Sequence, residues 1–279
     1  MSPDEIPDLF DSHCHIQSAG SPGGESSTRE LWAKADMINP SDIISRANQA
    51  GVTRLVCVGC DLEDSKLAVK FAQRHENCWA TIGVHPHEAE GYLSQTAQSA
   101  LEGLARESKV VAIGECGLDY FYNHSSAQAQ EEVLRLQIEL ARKHDLPLVF
   151  HVREAFDDFW RIFEGYMSAD HPLRGVLHSF TDTGSNLERA LGHGLFIGVN
   201  GIATFTKNAE QLEMYRTVPL EHLLLETDAP FLTPHPYRGK VCEPYHIRTI
   251  AEFLAKLRGE TIESVAEATT HNARQLFKV

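Results

Sequence analysis

The sequence lacks the features that mark several classes of protein. No apolar run in its 279 residues approaches the roughly 20 residues of a membrane-spanning helix, and no signal-peptide pattern opens it. Acidic residues outnumber basic ones by 39 to 25, a formal net charge of −14. That balance argues against a broad basic surface for nucleic acid, although bound divalent cations can reverse the sign of a small acidic cleft. We therefore expect a soluble protein that is not attached to a membrane.

Cysteine is also scarce, with six residues in the chain. Cys57 and Cys60 have the CxxC spacing of some redox and zinc sites, but no second CxxC accompanies them. The pair ends an apolar run, LVCVGC, which favours ordinary buried thiols. This cysteine usage is typical of a reduced, cytoplasmic protein.

Short apolar runs alternate eight times with longer amphipathic ones. They are nearly continuous in hydrophobic residues, as expected for parallel strands that are buried on both faces. The predicted strands span residues 8–16, 54–60, 79–86, 110–119, 147–152, 174–180, 195–201 and 222–230. The clearest helical patterns span residues 41–50, 63–75, 125–145 and 155–166. The pattern from about residue 243 to residue 279 predicts two more helices. Ser41 is a candidate N-cap after Pro40, and Gly51 is a candidate C-terminal stop.

Eight β-α alternations predict an α/β protein with one (β/α)8 TIM barrel over residues 1–279 and an extra C-terminal helix. The alternative is a doubly wound open sheet, but no GxGxxG motif follows the first strand. The Gly/Ser-rich segment at 18–27, within a long 18–35 loop, is either a mobile lid at the barrel mouth or a simple surface insertion.

Residue types that bind metals gather at the predicted strand ends, where such barrels carry their chemistry. A lone histidine is more often a structural residue, but buried imidazoles and carboxylates cost several kcal/mol each unless they are paired or bind a metal. Their convergence therefore predicts a metal site. The residues are His13, His15, His85, His87, Glu115, Asp119, His151, His178, Glu226 and Asp228.

The mixture of imidazole and carboxylate favours Zn, Mn or Mg without deciding among them, and it gives thiolate no evident role. The ligands outnumber those that one catalytic ion needs, so we expect two divalent ions. Glu115, in the middle of the barrel, is the natural bridge between them. Two cations about 3.5–4 Å apart are the usual device for holding a phosphodiester and activating a water.

The whole chain resembles the TatD family of metal-dependent deoxyribonucleases, within the amidohydrolase-like barrels. The matching segments follow the family's order and spacing, and together they are highly specific. They are DSHCHI, IGVHPHE, IGECGLDYF, FHVREA, GVLHSF, FIGVNGIATF, LLLETDAPFLTPHPYRGK and EPYHI.

The resemblance implies a role for each matching residue. One metal would be held by His13, His15, Glu115 and Asp228. The second would be held by Glu115, His151 and His178. His85 and Glu226 match further active-site positions, where they would orient water or move a proton. Asp228 is also the candidate general base, because a carboxylate beside the nucleophilic water is well placed for it.

Four residues are candidates for binding the substrate. Arg153 would grip a phosphate. Arg238 and Lys240 would contact a nucleic-acid backbone, or else form a solvated turn. Tyr120, with Phe121, would stack on a base or simply close the barrel rim.

Two features depart from the family pattern and bear on the substrate more than on the metals. Val241 and Cys242 stand where the family commonly has a basic residue and Asn before Glu-Pro, and the first loop is unusually long and rich in Gly and Ser.

Three functions compete on this basis. The first is hydrolysis of DNA phosphodiesters, from the 3′ end of single strands, with no obligate protein partner. The second is hydrolysis of another bond on the same scaffold, such as a D-aminoacyl-tRNA ester or an amide; Glu115, where two-metal amidohydrolases often carry a modified lysine, disfavours the amide. The third is a metal-dependent binding protein, which the complete set of expected ligands argues against.

Overall fold

Eight parallel strands form one sheet in chain order, so the predicted barrel is confirmed. The computed structural model describes residues 8–23, 26–122, 124–167 and 172–279. The strands are β1 (Leu9–Cys14), β2 (Val52–Val58), β3 (Cys78–Ile82), β4 (Val110–Asp119), β5 (Leu148–Arg153), β6 (Gly175–Leu177), β7 (Phe196–Val199) and β8 (Leu223–Leu225). Every predicted strand is present, with most ends shifted by a few residues.

The sheet closes between the end of β1 and the segment that follows β8. The His15 amide donates to the Ala229 carbonyl at 2.8 Å, and the Asp228 amide donates to the His13 carbonyl at 2.9 Å. These bonds exclude the open sheet. They also place both histidines of β1 beside Asp228, because the closing strands meet at the mouth of the barrel.

Ten α-helices surround the sheet in the described part of the chain. They are α1 (Ser26–Lys34), α2 (Pro40–Gln49), α3 (Leu62–Ala72), α4 (Gln95–Leu104), α5 (Ala127–His144), α6 (Phe156–Tyr166), α7 (Gly184–Gly192), α8 (Ala209–Thr217), α9 (Ile247–Arg258) and α10 (Ile262–Phe277). None of these helices is long and apolar enough to cross a membrane. Residues 1–7, on which the absence of a signal peptide was judged, lie outside the described residues.

The predicted N-cap of α2 was wrong by two residues. Asn39 is the cap, and its side chain accepts a hydrogen bond from the Ser41 amide at 3.1 Å. Pro40 occupies the first helical turn, where its fixed φ and missing N–H suit the start of a helix, so the cap must precede it. Gly51 does follow the helix, with a φ of +86°.

The extra C-terminal helix, α10, covers the end of the barrel opposite the mouth. Asn272 donates from Nδ2 to the carbonyls of Leu220 and Leu223 at 2.7 and 2.9 Å. Phe277 packs on the Phe10 ring inside the barrel, with 6.3 Å between centroids. The catalytic chemistry must therefore take place at the other end of the barrel, its mouth.

The long loop after β1 contains helix α1. Trp32 is fully buried and its Nε1 donates to the His15 carbonyl at 3.2 Å, so α1 is anchored beside a candidate metal ligand. Gly24 and Glu25 of the predicted mobile segment lie outside the described residues. All six cysteines are buried thiols, as the sequence predicted.

Candidate metal centre

The strand ends surround one cavity of about 800 Å³ at the barrel mouth. That volume falls in the range of sites that enclose a small organic ligand. The imidazoles and carboxylates that line it are His15, His85, His87, Glu88, Glu115, His124, His151, His178 and Asp228. The structure therefore brings together side chains from six different strands or strand ends, as the sequence predicted.

Four side-chain atoms converge on the β1 side of this cavity. The Nε2 atoms of His13 and His15 lie 3.3 Å apart. Oε2 of Glu115 is 3.4 Å from His13 Nε2, and Oδ1 of Asp228 is 3.3 Å from His15 Nε2 and 3.7 Å from His13 Nε2. This is the first predicted ligand set, assembled from β1, β4 and the segment after β8.

The other oxygen of Glu115 faces a different set of histidines. Oε1 lies 2.9 Å from His151 Nδ1, 3.6 Å from His85 Nε2 and 3.9 Å from His178 Nε2. His178 also stacks on His13, with 3.6 Å between ring centroids. It therefore lies between the two sets. A carboxylate whose two oxygens face two groups of ligands has the arrangement of a bridge between two cations.

A close approach of β4 to β5 brings Glu115 to His151. The pairing between these strands shifts register between Ile113 and Cys116, and Gly117 then pairs with His151. Gly117 has a φ of +150°, and a Cβ there would lie 1.8 Å from the His151 carbonyl oxygen. Only glycine has both the required φ and the required absence of a side chain.

Glu226 orients His178 from below the cavity. It is buried, and its Oε1 lies 3.0 Å from His178 Nδ1 while accepting the Ser179 amide at 2.6 Å. With this carboxylate beside Nδ1, the other ring nitrogen, Nε2, lies 3.9 Å from both Glu115 and Asp228. Gly198 on β7 leaves the space, since a Cβ there would lie 2.4 Å from Glu226 Oε2.

Replacing Gly198 with alanine should therefore disturb the site without changing any polar group. We expect Gly198→Ala to destabilise the protein by about 1–3 kcal/mol through overpacking and to lower its metal affinity. Thermal melting and metal titration measure the two effects. Gly192→Ala, on α7 with no atom within 4 Å of the added Cβ, is the matched control. A Gly198→Ala protein with wild-type stability and metal affinity would contradict this account.

Two buried aspartates that belong to neither predicted ligand set position the ligands of the site. Asp11 accepts hydrogen bonds from the Thr227 hydroxyl at 2.6 Å and the Thr227 amide at 3.0 Å, tying β1 to the residue before Asp228. Oδ2 of Asp119 lies 3.1 Å from His151 Nε2 and 3.0 Å from His87 Nε2. The sequence contained a signal for each aspartate. Asp11 lies two residues before His13 and therefore on the same face of the strand, and Asp119 is the carboxylate that ends the fourth predicted strand.

The arrangement of ring nitrogens fits divalent cations. His15 Nδ1 lies 2.9 Å from the Val58 carbonyl, so neutral His15 carries its proton on Nδ1 and turns the Nε2 lone pair toward His13. The Nδ1 atom of His13 is buried and makes no hydrogen bond to any described residue. Imidazole nitrogens and carboxylate oxygens grouped in this way are the donors that Zn, Mn and related ions prefer.

The ionisation states of the carboxylates and histidines in the centre depend on one another. Burial would raise the pKa values of Glu115 and Asp228, but the surrounding histidines hold the pKa of Glu115 well below its usual range and lower that of Asp228. Burial opposes protonation of His15 and His178 too, yet Asp228 raises the pKa of His15 to about 9 and Glu226 raises that of His178 to about 10. Both carboxylates are therefore ionised, and cation binding must displace protons from these histidines.

One thiol, that of Cys60, lies against the centre. Cys60 Sγ is 3.8 Å from Glu115 Oε2 and 3.9 Å from His15 Nδ1. The CxxC spacing pointed to this residue, but the apolar run around it indicated an ordinary core position.

Of the four predicted substrate contacts, the structure places Arg153 in the cavity wall and the other three elsewhere. The Tyr120 hydroxyl donates to Asp158 of α6 at 3.1 Å. Arg238 donates to the Thr233 carbonyl at 2.9 Å, and Lys240 lies 6.0 Å from the Tyr237 ring. Tyr120 follows Asp119, the last residue of β4, where the chain turns.

Residues 10–278 match the model of the family described as TatD related DNase. The chain belongs to this family. It is 37% identical over 243 residues, 85% of the chain and 92% of the relative, to the 3′-5′ ssDNA/RNA exonuclease TatD of Citrobacter koseri. It is 33% identical over 271 residues, 97% of the chain and 99% of the relative, to the uncharacterised metal-dependent hydrolase YabD of Bacillus subtilis.

Solved structures agree with this placement. YjjV, a TatD homologue from Escherichia coli K12, superposes with a TM-score of 0.85 at 28% identity, covering 99% of this chain and 100% of that one. The Escherichia coli phosphotriesterase homology protein shares the fold, with a TM-score of 0.68 at 13% identity over 98% and 99% of the two chains. The predicted family, barrel and class of enzyme, a metal-dependent hydrolase of ester bonds, are confirmed.

Proposed function

We propose that this TatD-family protein hydrolyses phosphodiester bonds of single-stranded DNA from the 3′ end with the help of two divalent cations. The observation that carries the proposal is the placement of Glu115, whose two carboxylate oxygens face separate groups of ligands. The relatives described as 3′-5′ ssDNA/RNA exonucleases support the choice of substrate and direction.

One cation would be held by His13, His15, Glu115 and Asp228, and the other by Glu115, His151 and His178. The donors suit Mg, Mn or Zn. When bound, a pair of such cations supplies Lewis acidity toward a phosphoryl oxygen and lowers the pKa of a water.

Asp228 is the group best placed to accept a proton from the attacking water. Its Oδ1 faces the cavity, and its backbone adopts a φ of +61°, which is uncommon for a residue with a side chain. Backbone bonds to His13 and Phe231 hold that conformation, at 2.9 and 2.8 Å. A low pKa keeps the carboxylate ionised and able to accept a proton.

His85 is suited to donate a proton on the other side of Glu115. Its Nδ1 accepts the His87 amide at 3.2 Å, so the neutral ring carries its proton on Nε2, which points into the cavity. Burial lowers the pKa of His85 to about 3, so the ring is neutral near pH 7. It therefore acts as a neutral hydrogen-bond donor toward a phosphoryl or leaving-group oxygen.

Arg153 is the group that would bind a phosphate. Among the described residues that line the cavity, it is the only lysine or arginine, and within the described chain it forms no ion pair. Its guanidinium keeps its donors available for a phosphate, which it can bind at two oxygens.

A nuclease assay on single-stranded DNA labelled at either end tests the proposal. With Mg or Mn, we expect shortening from the 3′ end, so that a 5′ label gives a ladder and a 3′ label gives a released nucleotide at once. Chelation should stop both. A folded, metal-loaded protein that cuts neither substrate would contradict the proposal and direct attention to other esters, including D-aminoacyl-tRNA.

A further inference from the structure

An aromatic cluster stands on the rim of the cavity, outside the ligands and the groups assigned to catalysis. Phe121 and Tyr122 follow β4 and are 48% and 51% exposed, two of the four large hydrophobic side chains exposed in the described part of the chain. Tyr122 and His124 line the cavity, and their rings are nearly parallel, at 18° with 5.9 Å between centroids. Exposed rings beside a polar cavity indicate a binding surface.

The cluster is fixed to the metal centre through Asp119. Oδ1 of Asp119 accepts the amides of Phe121 and Tyr122, both at 3.0 Å. Its other oxygen, Oδ2, holds His151 and His87. One buried carboxylate therefore positions both a candidate metal ligand and the backbone that carries the two rings. The position of the rings is thereby fixed relative to the site of hydrolysis.

The cluster also lies at a useful distance from that site. The His87 ring separates Tyr122 from His85, with centroids 5.5 Å from Tyr122 and 4.3 Å from His85. On the other side, the Arg153 guanidinium carbon lies 4.8 Å from the Tyr122 centroid and 3.9 Å from that of Phe121. A base stacked on Tyr122 would therefore belong to a nucleotide next to the bond being cut. The phosphate of that nucleotide would lie near Arg153.

We infer that Tyr122, backed by His124, stacks on an unpaired base next to the scissile phosphate and so makes the enzyme select single-stranded ends. Aromatic stacking accepts every base because each has a π-face, and it requires that the base be free of its partner strand. This inference rests on the proposed function and deepens it. It assigns to Tyr122 the part that the sequence pattern suggested for Tyr120.

The test compares two single strands that differ only in whether the two 3′-terminal nucleotides carry bases. The wild type should show a KM roughly tenfold lower for the strand with bases, a factor typical of one stacked base. Tyr122→Leu should raise KM by that factor on the strand with bases, leave the abasic strand within about twofold and change kcat little. Tyr122→Phe, which keeps the ring, should behave as the wild type.

Phe121→Leu is the matched control, because it removes the ring nearest Arg153 without changing the cavity wall. If loss of the Phe121 ring disturbs Arg153, KM should rise equally on the strand with terminal bases and on the abasic strand. An equal rise for Tyr122→Leu, or a wild type indifferent to the terminal bases, would overturn the stacking role. Because the substituted side chains are half-exposed, the melting temperatures of the variants should match that of the wild type.

Binding without turnover separates this inference from the proposed function. Calorimetry should show that the wild type binds a deoxynucleoside monophosphate more tightly than deoxyribose 5-phosphate, and that Tyr122→Leu does not discriminate. That preference in a protein that cuts no strand would leave stacking intact and overturn the nuclease. Cleavage without the preference would overturn stacking alone.

Discussion

Glu115→Gln should reduce nuclease activity by roughly 10³-fold or more, because one change affects both groups of ligands. The amide keeps the shape of the side chain but loses the negative charge, and one of its two atoms becomes a donor. Glu115 is buried among His13, His85 and His151, whose arrangement favours an ionised carboxylate between them. Among the described residues, Glu115 is the carboxylate that lies against both His13 and His151, whereas Asp228 lies against His13 and Asp119 against His151.

Activity and bound metal should be measured together for this variant. Elemental analysis after dialysis against Mn should show less bound metal than in the wild type. Glu243→Gln is a matched control, since Glu243 is also a buried glutamate but pairs with Arg46 outside the cavity. It should lose some stability and keep its activity. Glu115→Gln with wild-type metal content and turnover would refute the bridging role.

Asp228→Asn should lower kcat by about 10²–10⁴-fold, the range found when a general base is removed. Asparagine suits the test because it tolerates the left-handed backbone that Asp228 adopts, with a φ of +61°. The fold should therefore survive, while the side chain can no longer take up a proton. KM should change much less than kcat, because Arg153 and the rim still bind the substrate.

Asp228 also faces His13 and His15, so its two roles must be separated. Turnover should be measured over a range of Mn concentrations up to saturation. A loss that persists at saturation identifies the proton acceptor, whereas full recovery with added metal would show that Asp228 is a ligand alone. Asp42→Asn, at an exposed position on α2, is the control and should match the wild type.

The candidate site could be predicted in outline because parallel strands obey simple rules. Each buried run ends at the same rim, and residues two apart on a strand share a face, so His13 and His15 had to lie together. The position of Glu115 was predictable for the same reason. The directions of the side chains after Asp119 were not predictable in this way, because alternation stops where β4 ends. The turn held by Asp119 leaves Tyr122 in the cavity wall and Tyr120 against Asp158.

The sequence by itself determined the number of strands, the barrel and the kinds of metal-binding side chain at its mouth, since hydrophobic periodicity and strand ends are local properties. The tertiary structure alone decided which oxygen of Glu115 faces which histidine, because that depends on the register of β4 and on Gly117 beside His151. It also brought Asp11 and Cys60 to the centre. Such contacts join residues far apart in the chain, and no local pattern records the distance between them.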